Sequence, residues 1–201
     1  MGLAYMDTDL LESLEFNNAG AEDIARGSRK FHMATPQYEL LAGMTEAIGL
    51  IADTGAEYAE YFEDELHGLA GRRRDVVAGM LAFDAYESPL SEKLRAGLRR
   101  LPGVTVYGPA EGEPRTPTVA FTMEGYAPEL VTKILGDKGL NAWHGDFYAI
   151  EVISAFGLTE TGGLIRVGMA PYCTEADIDR TIATITSIAY GGYDALRSDF
   201  S

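Results

Sequence analysis

The stretch GGLIRVGMAPYCTEADIDR, residues 162–180, decides the fold of this chain. Its two leading glycines are typical of a turn, and the apolar run that follows predicts a buried strand. Pro171 ends the strand, and Thr174-Glu175 is a typical helix start. Arg166 conflicts with this pattern, because it lies in the middle of the apolar strand. An unpaired buried guanidinium is very costly, so Arg166 must be paired with a carboxylate, exposed to solvent, or held for a ligand.

The elements around this stretch predict a small mixed domain from residue 75 onward. Ser88-Pro89 is expected to open a helix that ends near Arg100. The segments VTVYG (104–108) and TPTVAFTM (116–123) predict two strands. Further patterns predict a helix over 127–138, a short strand and a brief helix within 140–156, and a last helix over 174–190. This order predicts an α+β fold, a mostly antiparallel sheet with helices on one face.

Residues 1–74 predict helices but hardly any sheet. The segment GLAYM (2–6) has the character of a buried strand, and Thr8 or Asp9 is expected to cap a helix after it. A helix is predicted over 37–53, and Gly55 is expected to end it. A second helix is predicted over 56–70. Because the predicted first strand has no neighbours in this half, we interpret residues 1–74 as the remnant of a larger domain with interdomain helices. Residues 75–201 form the small domain.

Charge and cysteine content narrow the function class. The net charge is −15 and the isoelectric point is near 4.5, which argues against a nucleic-acid partner because phosphate binding needs clustered cations. The single cysteine, Cys173, excludes an intramolecular disulfide and fits a reducing compartment. No apolar run reaches the ~18 residues of a membrane span, and the first residues lack the pattern of a signal peptide. We expect a cytoplasmic location, no membrane partner and no metal site.

Several motifs, in the same order, resemble those of a known family. RVGMAPYCTEADIDR (166–180) resembles the C-terminal signature of the class V aminotransferases, the fold-type I pyridoxal phosphate (PLP) enzymes that include cysteine desulfurases. FHMATPQYELLAGMTEAIGLI (31–51) resembles the family's Gly-Thr-Pro loop and the helix after it, with Ala34 at the usual glycine. ESPLSEKLRAGLRRLPGVTVYGP (87–109) resembles the start of the small domain, and WHGDFYAIEVI (143–153) resembles the active-site segment.

The resemblance implies that this chain is the C-terminal part of a longer enzyme. In the family, a segment like GLAYMDTDLLESL (2–14) follows the lysine that binds the cofactor covalently. No lysine of this chain matches that motif, although Lys30 lies in a loop shortly before Thr35; the others are Lys93, Lys133 and Lys138. We therefore expect no catalytic residue of this kind here, and we expect the isolated chain to be inactive and to bind no PLP alone.

The resemblance also implies two binding residues. Arg166 would bind the α-carboxylate of the substrate, since a guanidinium matches a carboxylate bidentately. The alternative is an internal ion pair with one of the many acidic residues. Thr35 would bind the cofactor phosphate of a partner subunit, which would place the active site at a homodimer interface. Its alternative role, compatible with the first, is to cap the helix that begins after Pro36.

His144 lies where desulfurases carry their His-Cys loop. It is a candidate for substrate binding or proton transfer, and the alternative is that it only shapes the loop. A persulfide mechanism needs a cysteine in this segment, and residues 143–153 contain none. Cys173 is therefore interpreted as a small buried residue. Trp143, Phe147 and Tyr148 fit either the core or a pocket lining.

Two functions from different classes follow. The first is part of a PLP-dependent transferase or lyase that acts on an amino acid, with PLP in the complete enzyme. The second is a non-catalytic dimerisation or partner-binding domain with an inherited fold. Both predict a homodimer, because apolar surface near Leu3, Tyr5, Leu41 and Met44 would otherwise be exposed.

Overall fold

The computed structural model describes residues 5–14 and 35–197, with side chains up to residue 191. Its helices and strands, in chain order, are α1 (Thr8–Ser13), α2 (Tyr38–Tyr58), α3 (Gly71–Arg99), β1 (Val104–Tyr107), β2 (Thr118–Met123), α4 (Pro128–Asp137), β3 (Trp143–Gly145), α5 (Ile150–Ala155), β4 (Leu164–Gly168) and α6 (Glu175–Arg197). The chain divides into two compact units, Met1–Gly79 and Met80–Ser201. Both this division and the predicted boundary at residue 74 fall within α3.

The second unit is built on a four-stranded sheet. The strand order is β1-β2-β4-β3, and every neighbouring pair is antiparallel. A single apolar core covers one face of this sheet and is formed by β2, β4, α3, α4 and α6. Its fully buried side chains are Leu94, Leu98, Val119, Phe121, Val131, Leu135, Ile165, Ile185 and Ile188. The predicted mixed fold with an antiparallel sheet is confirmed.

The first unit depends on a close approach between α2 and α3. A Cβ atom added to Gly55 would lie 1.7 Å from the carbonyl oxygen of Asp75. A Cβ added to Gly79 would lie 1.9 Å from the carbonyl oxygen of Ile51. Only glycine lets two helix backbones approach so closely.

Two sequence expectations for this unit are wrong, and the close approach explains the first of them. Gly55 does not end α2, which continues to Tyr58, because the glycine serves packing between helices rather than helix termination. The predicted helix over 56–70 is reduced to a short 3₁₀ turn, Ala59–Phe62, followed by turns.

Ser88-Pro89 does not open a new helix, because α3 runs through it without a break. Proline removes one backbone hydrogen bond from a helix interior. The buried stripe of Leu90, Leu94 and Leu98 anchors the following turns of α3 in the core and favours continuity. Tertiary packing therefore overrides the local signal.

The start of the chain also differs from expectation. Of the segment predicted as a strand, Tyr5 and Met6 are described, and neither is in a strand. Its earlier residues, including Leu3, lie outside the described part of the chain. The cap of α1 is Asp7, whose carboxylate accepts hydrogen bonds from the backbone N–H groups of Asp9 (2.9 Å) and Leu10 (3.5 Å).

Candidate functional site

The turn before β4 fixes the register that places Arg166. Gly163 has φ 83°, and a Cβ atom at this position would lie 2.2 Å from the carbonyl oxygen of Gly145. Only glycine accommodates both the conformation and the contact. In the resulting pairing, Gly145 is opposite Leu164 and Trp143 is directly opposite Arg166.

Arg166 belongs to a row of four residues that crosses the whole sheet. Tyr107 is opposite Ala120, Ala120 is opposite Arg166, and Arg166 is opposite Trp143. Directly opposed residues on neighbouring strands point to the same face of a sheet. The residues next to this row, such as Ile165, point to the helix-covered core instead. The row therefore lies on the opposite face, which we call the Arg166 face.

The Arg166 side chain is exposed, and none of the described residues provides a carboxylate within ion-pair distance of it. An exposed guanidinium keeps its hydration and needs no protein partner. Of the three possibilities that the sequence left open, the structure excludes burial within an internal ion pair. The geometry leaves the N–H groups of Arg166 free to bind an anion.

One side of the Arg166 guanidinium is covered by an aromatic ring. The guanidinium carbon of Arg166 lies 4.4 Å from the centroid of the Phe147 ring. At this distance the guanidinium is attracted by the negative face of the ring. The contact restricts the rotamers of Arg166, whose side chain is nevertheless exposed.

Phe147 is held in place by an unusual turn between β3 and α5. Phe147 (φ 55°) and Tyr148 (φ 60°) both adopt the left-handed conformation that non-glycine residues rarely take. The Asp146 carboxylate accepts a hydrogen bond from the Tyr148 N–H at 2.9 Å, and the Asp146 carbonyl accepts one from the Ala149 N–H at 2.8 Å. Because consecutive left-handed residues are strained, this turn marks a candidate functional segment.

The segment after β3 exposes several large apolar side chains. Trp143 is 68% exposed and Tyr148 is fully exposed, so neither belongs to the core. Ile150, Val152 and Phe156 of the following helix are also exposed. Phe156 lies against Tyr107, with ring centroids 5.1 Å apart, and so continues the aromatic surface towards β1. The role of Phe147 as the partner of Arg166 is not visible in the sequence, because no local pattern predicts two left-handed residues without glycine.

His144 does not lie in the row of Arg166. It is opposite Ile165, so it points to the other face of the sheet, and its Nδ1 lies 2.8 Å from Oγ1 of Thr132 on α4. The Thr132 hydroxyl is also within hydrogen-bonding distance of the carbonyl oxygens of Pro128 and Glu129. This arrangement favours the alternative reading, in which His144 shapes the loop, and its role in substrate binding stays a prediction.

Thr35 lies in the first unit, is exposed, and precedes α2. It does not cap this helix, whose N-cap residue is Gln37. The proposed contact of Thr35 with a cofactor phosphate stays a prediction. Lys30 lies outside the described residues.

The turn between β4 and α6 contains Cys173, which is half-buried. Its Sγ accepts a hydrogen bond from the Ala170 N–H at 3.4 Å, and its carbonyl accepts one from the Tyr86 hydroxyl at 2.7 Å. The predicted helix start is confirmed, because Thr174 and Asp177 form a reciprocal cap. Hydrogen bonds from the hydroxyl and the N–H of Thr174 hold the pKa of Asp177 below its ordinary value.

Comparison with known proteins decides the family. Residues 75–181, more than half of the chain, match the sequence model of the aminotransferase class-V family. The chain belongs to the class-V aminotransferase family. This confirms the resemblance drawn from the sequence motifs.

Curated relatives are consistent with this assignment. An uncharacterized protein of Mycobacterium tuberculosis is 26% identical over 186 residues, which cover 92% of this chain and 43% of the relative. A probable cysteine desulfurase 2 of Mycobacterium leprae is 28% identical over 164 residues, which cover 78% of this chain and 38% of the relative. The chain thus spans about two fifths of the length of these relatives.

Solved structures confirm the fold. The cysteine desulfurase CsdA of Escherichia coli matches with a TM-score of 0.64 at 17% identity, covering 90% of this chain and 40% of that one. The cysteine desulfurase of Thermococcus onnurineus matches with a TM-score of 0.54 at 22% identity, covering 60% of this chain and 29% of that one. At this identity the likeness establishes the fold alone.

The class-V aminotransferase family implies PLP, and the described residues fit this cofactor only in part. An exposed arginine that none of the described carboxylates pairs with suits a substrate carboxylate. None of the three lysines of the described part lies on the strands that carry Arg166, because Lys93 and Lys133 lie on helices and Lys138 lies in the turn after α4. Lys93 pairs with Glu175 and Asp179, Lys133 pairs with Asp137, and Lys138 follows the last residue of α4.

Two further properties of this class-V aminotransferase chain concern the described residues. None of their helices is long and apolar enough to cross a membrane. They also contain no group of three or more His, Cys, Asp or Glu side chains arranged to hold a metal ion.

Proposed function

We propose that this chain supplies the substrate-carboxylate-binding domain of a PLP-dependent transferase or lyase that acts on an amino acid. The observation that carries the proposal is the exposed, unpaired Arg166, mounted on a sheet face opposite the helices. In the complete enzyme, PLP would supply the electron sink for chemistry at the substrate α-carbon. The chain's own contribution is to bind and orient the carboxylate.

Strand mounting supports this role. The backbone of Arg166 is held by strands on both sides, and the ring of Phe147 limits the remaining rotations of its side chain. A bidentate carboxylate then approaches the open edge of the guanidinium in a defined plane. We propose no covalent role for any of the four lysines, Lys30, Lys93, Lys133 and Lys138, so this chain alone would be inactive and would bind no PLP.

The test uses the 201-residue chain. The Nε–Hε resonance of Arg166 is followed by NMR during titration with L-alanine, and it is expected to shift at millimolar ligand (on the order expected for a single bidentate contact). The Arg166→Gln variant should lose binding, and Arg166→Lys should retain only part of it, because an ammonium lacks the planar fork. Arg100→Gln, an exposed arginine at the end of α3, is the matched control and should bind normally. Binding that survives Arg166→Gln would overturn the proposal.

The second candidate is a non-catalytic dimerisation or partner-binding domain. The exposed apolar side chains of α2 favour it. Tyr38 and Leu50 are both about two thirds exposed, at 67% and 65%, and Leu40 and Leu41 are also exposed. Exposed apolar patches favour association. We expect a homodimer in analytical ultracentrifugation at tens of micromolar (roughly the range where weak association is detectable), weakened by Leu50→Glu.

The two candidates give different results. A dimer with no response of Arg166 to carboxylates favours the non-catalytic domain. A dimer with carboxylate binding at Arg166 favours the enzyme, and a monodisperse monomer contradicts the association expected in both. We also infer a cytoplasmic location from the single cysteine, which fits a reducing compartment.

A further inference from the structure

We propose that the Arg166 face selects monocarboxylates that carry an aromatic or large apolar group, and that Phe147 is the positioning residue for the Arg166 guanidinium. This inference rests on the proposed function, because it assumes that Arg166 binds a carboxylate. It adds the chemical class of the ligand and a second residue on which binding depends.

The first support is the geometry of the Phe147 contact. The ring lies 4.4 Å from the guanidinium carbon and so covers one face of the planar group. A carboxylate binds a guanidinium through its edge, in the same plane, so the two contacts do not compete. Because Arg166 is exposed, the guanidinium is also accessible to a planar or apolar group of the ligand.

The second support is the backbone that holds Phe147. Phe147 and Tyr148 both have positive φ values, and Asp146 closes the turn with two hydrogen bonds. A strained conformation persists only where the surroundings enforce it, and such conformations concentrate at binding sites. An ordinary turn would not aim the Phe147 ring at Arg166.

The third support is the apolar surroundings of Arg166. Trp143 is its direct partner across the sheet and presents an exposed indole. Tyr148 and Ile150, in the segment that follows, are also exposed. An exposed indole directly opposite a cation provides stacking surface for an aromatic or aliphatic side chain.

The fourth support is the distribution of charge. Arg166 is the only Asp, Glu, Lys or Arg residue in the four strands of the sheet. No lysine or arginine occurs between Lys138 and Arg166 in the sequence, whereas Asp146 and Glu151 add negative charge to the segment that covers this face. A ligand with a second carboxylate would find no second cation among these strands or residues 139–165 and would be repelled by Asp146 and Glu151. The chemistry therefore favours one carboxylate and an apolar remainder.

The chain contains its own reporter for this test. Trp143 is the only tryptophan, and it lies directly opposite Arg166. Its fluorescence is recorded, under excitation selective for tryptophan, during titration with L-phenylalanine, L-leucine, L-serine and L-glutamate. Phenethylamine serves as the probe that has the ring without the carboxylate. We expect L-phenylalanine and L-leucine to bind most tightly, at least about fivefold more tightly than L-serine, and L-glutamate to bind most weakly.

Matched variants test the role of Phe147. Phe147→Leu should weaken L-phenylalanine binding about three- to tenfold, the range of one cation–π contact, while Phe147→Tyr should retain it. Tyr190→Leu removes an exposed aromatic ring of α6 and should leave binding unchanged. The Arg166 Nε–Hε resonance should move towards its random-coil position in Phe147→Leu but not in Phe147→Tyr, since ring-current shielding requires the aromatic ring. If Phe147→Leu fails to fold, the comparison of Phe147→Tyr with the ligand series still decides the selectivity.

The outcomes separate this inference from the proposed function. A response that depends on Arg166 but is equal for all four amino acids overturns the selectivity and keeps the carboxylate site. Unchanged binding in folded Phe147→Leu overturns the positioning role. A response to phenethylamine equal to that for L-phenylalanine, or one that survives Arg166→Gln, or no response to any amino acid, contradicts the carboxylate site itself.

Discussion

Oγ1 of Thr132 lies 2.8 Å from Nδ1 of His144, and this contact joins α4 to the edge strand β3. Thr132 is buried, and its hydroxyl also reaches the carbonyl oxygens of Pro128 and Glu129 in the first turn of α4. β3 has only three residues and one neighbouring strand. The contact therefore stabilises the strand that places Trp143 beside Arg166.

Removing the Thr132 hydroxyl should destabilise the second unit. We expect Thr132→Val to lower the free energy of unfolding by about 1–2 kcal/mol, because it leaves a histidine nitrogen without its partner. Thr132→Ser keeps the hydroxyl and should therefore lower the free energy of unfolding by less than Thr132→Val does. Thr184→Val on α6, whose hydroxyl bonds only within its own helix, is the control and should change stability by under about 0.5 kcal/mol. Equal denaturation curves for Thr132→Val and the unmodified chain would show that the contact is unimportant.

Truncation of Arg166 should change the stability of the chain far less than truncation of Arg95. Arg166 is exposed, so Arg166→Ala should change the free energy of unfolding by under about 0.5 kcal/mol. Arg95 is 2% exposed, donates a hydrogen bond to the Pro109 carbonyl at 3.1 Å and lies 3.6 Å from the Glu92 carboxylate. Burial, followed by repulsion from Arg115, lowers the pKa of Arg95.

Arg95→Ala should therefore cost about 2–3 kcal/mol, through lost packing of its buried stem and a carbonyl that loses a donor. Urea denaturation of both variants measures the difference. A loss above about 2 kcal/mol in Arg166→Ala would mean that Arg166 is part of a structural ion pair and would defeat its role as a ligand-binding group.

The buried carboxyl of Glu87 should make stability depend on pH. Burial raises its pKa, and the neighbouring Asp84 raises it further. Because the folded chain then holds this proton more tightly than the unfolded chain, stability decreases as the pH rises from the unfolded pKa through the folded one. Glu87→Gln should thus melt at a higher temperature than the unmodified chain at neutral pH.

The difference should shrink below about pH 4, where the carboxyl is protonated in both states. Thermal melts from below pH 4 to neutral pH measure this difference in melting temperature. Glu160→Gln, at an exposed position, is the control. A Glu87→Gln variant that is less stable at neutral pH would contradict the assignment.

Two glycines of the first unit should behave differently when replaced by alanine. Gly79→Ala places a Cβ atom 1.9 Å from the Ile51 carbonyl oxygen, so α2 and α3 must separate, and we expect a loss above about 3 kcal/mol. Gly49→Ala, also in a helix, meets no atom within 4 Å and should gain up to about 1 kcal/mol from helix propensity. Circular dichroism melts compare them. Similar melting temperatures would disprove the close approach.

Cys173 should not carry a persulfide in the complete enzyme. Residues 143–153 contain no cysteine, and Cys173 lies instead on the turn between β4 and α6, where its sulfur accepts a hydrogen bond from the Ala170 N–H. A persulfide mechanism needs an accessible thiolate at the reacting substrate. Alkylation and mass spectrometry of the complete enzyme after incubation with PLP and L-cysteine should find an unmodified Cys173 thiol, and Cys173→Ser in the complete enzyme should leave turnover unchanged. A persulfide on Cys173 during turnover contradicts this prediction.

The strands and helices of the second unit could be predicted because their patterns are local. VTVYG and TPTVAFTM each show β-branched and aromatic residues at strand spacing, and both are strands in the structure. Pro171 and the Thr174–Asp177 cap mark the end of β4 and the start of α6 without any long-range information. The family resemblance followed from the same short segments, since residue type and order are sequence properties.

Only the tertiary structure decided where local signals conflict and which residues face each other. Gly55 predicted a helix end and Ser88-Pro89 predicted a helix start, but helix packing and the apolar core carry α2 and α3 past them. The separation of Arg166 and His144 onto opposite faces depends on strand register, which is set by the contact of Gly163 with Gly145. The Phe147 ring reaches Arg166 through two left-handed residues that Asp146 holds in place. Such arrangements combine residues that are distant in sequence with backbone conformations that the residue types disfavour, so no local pattern encodes them.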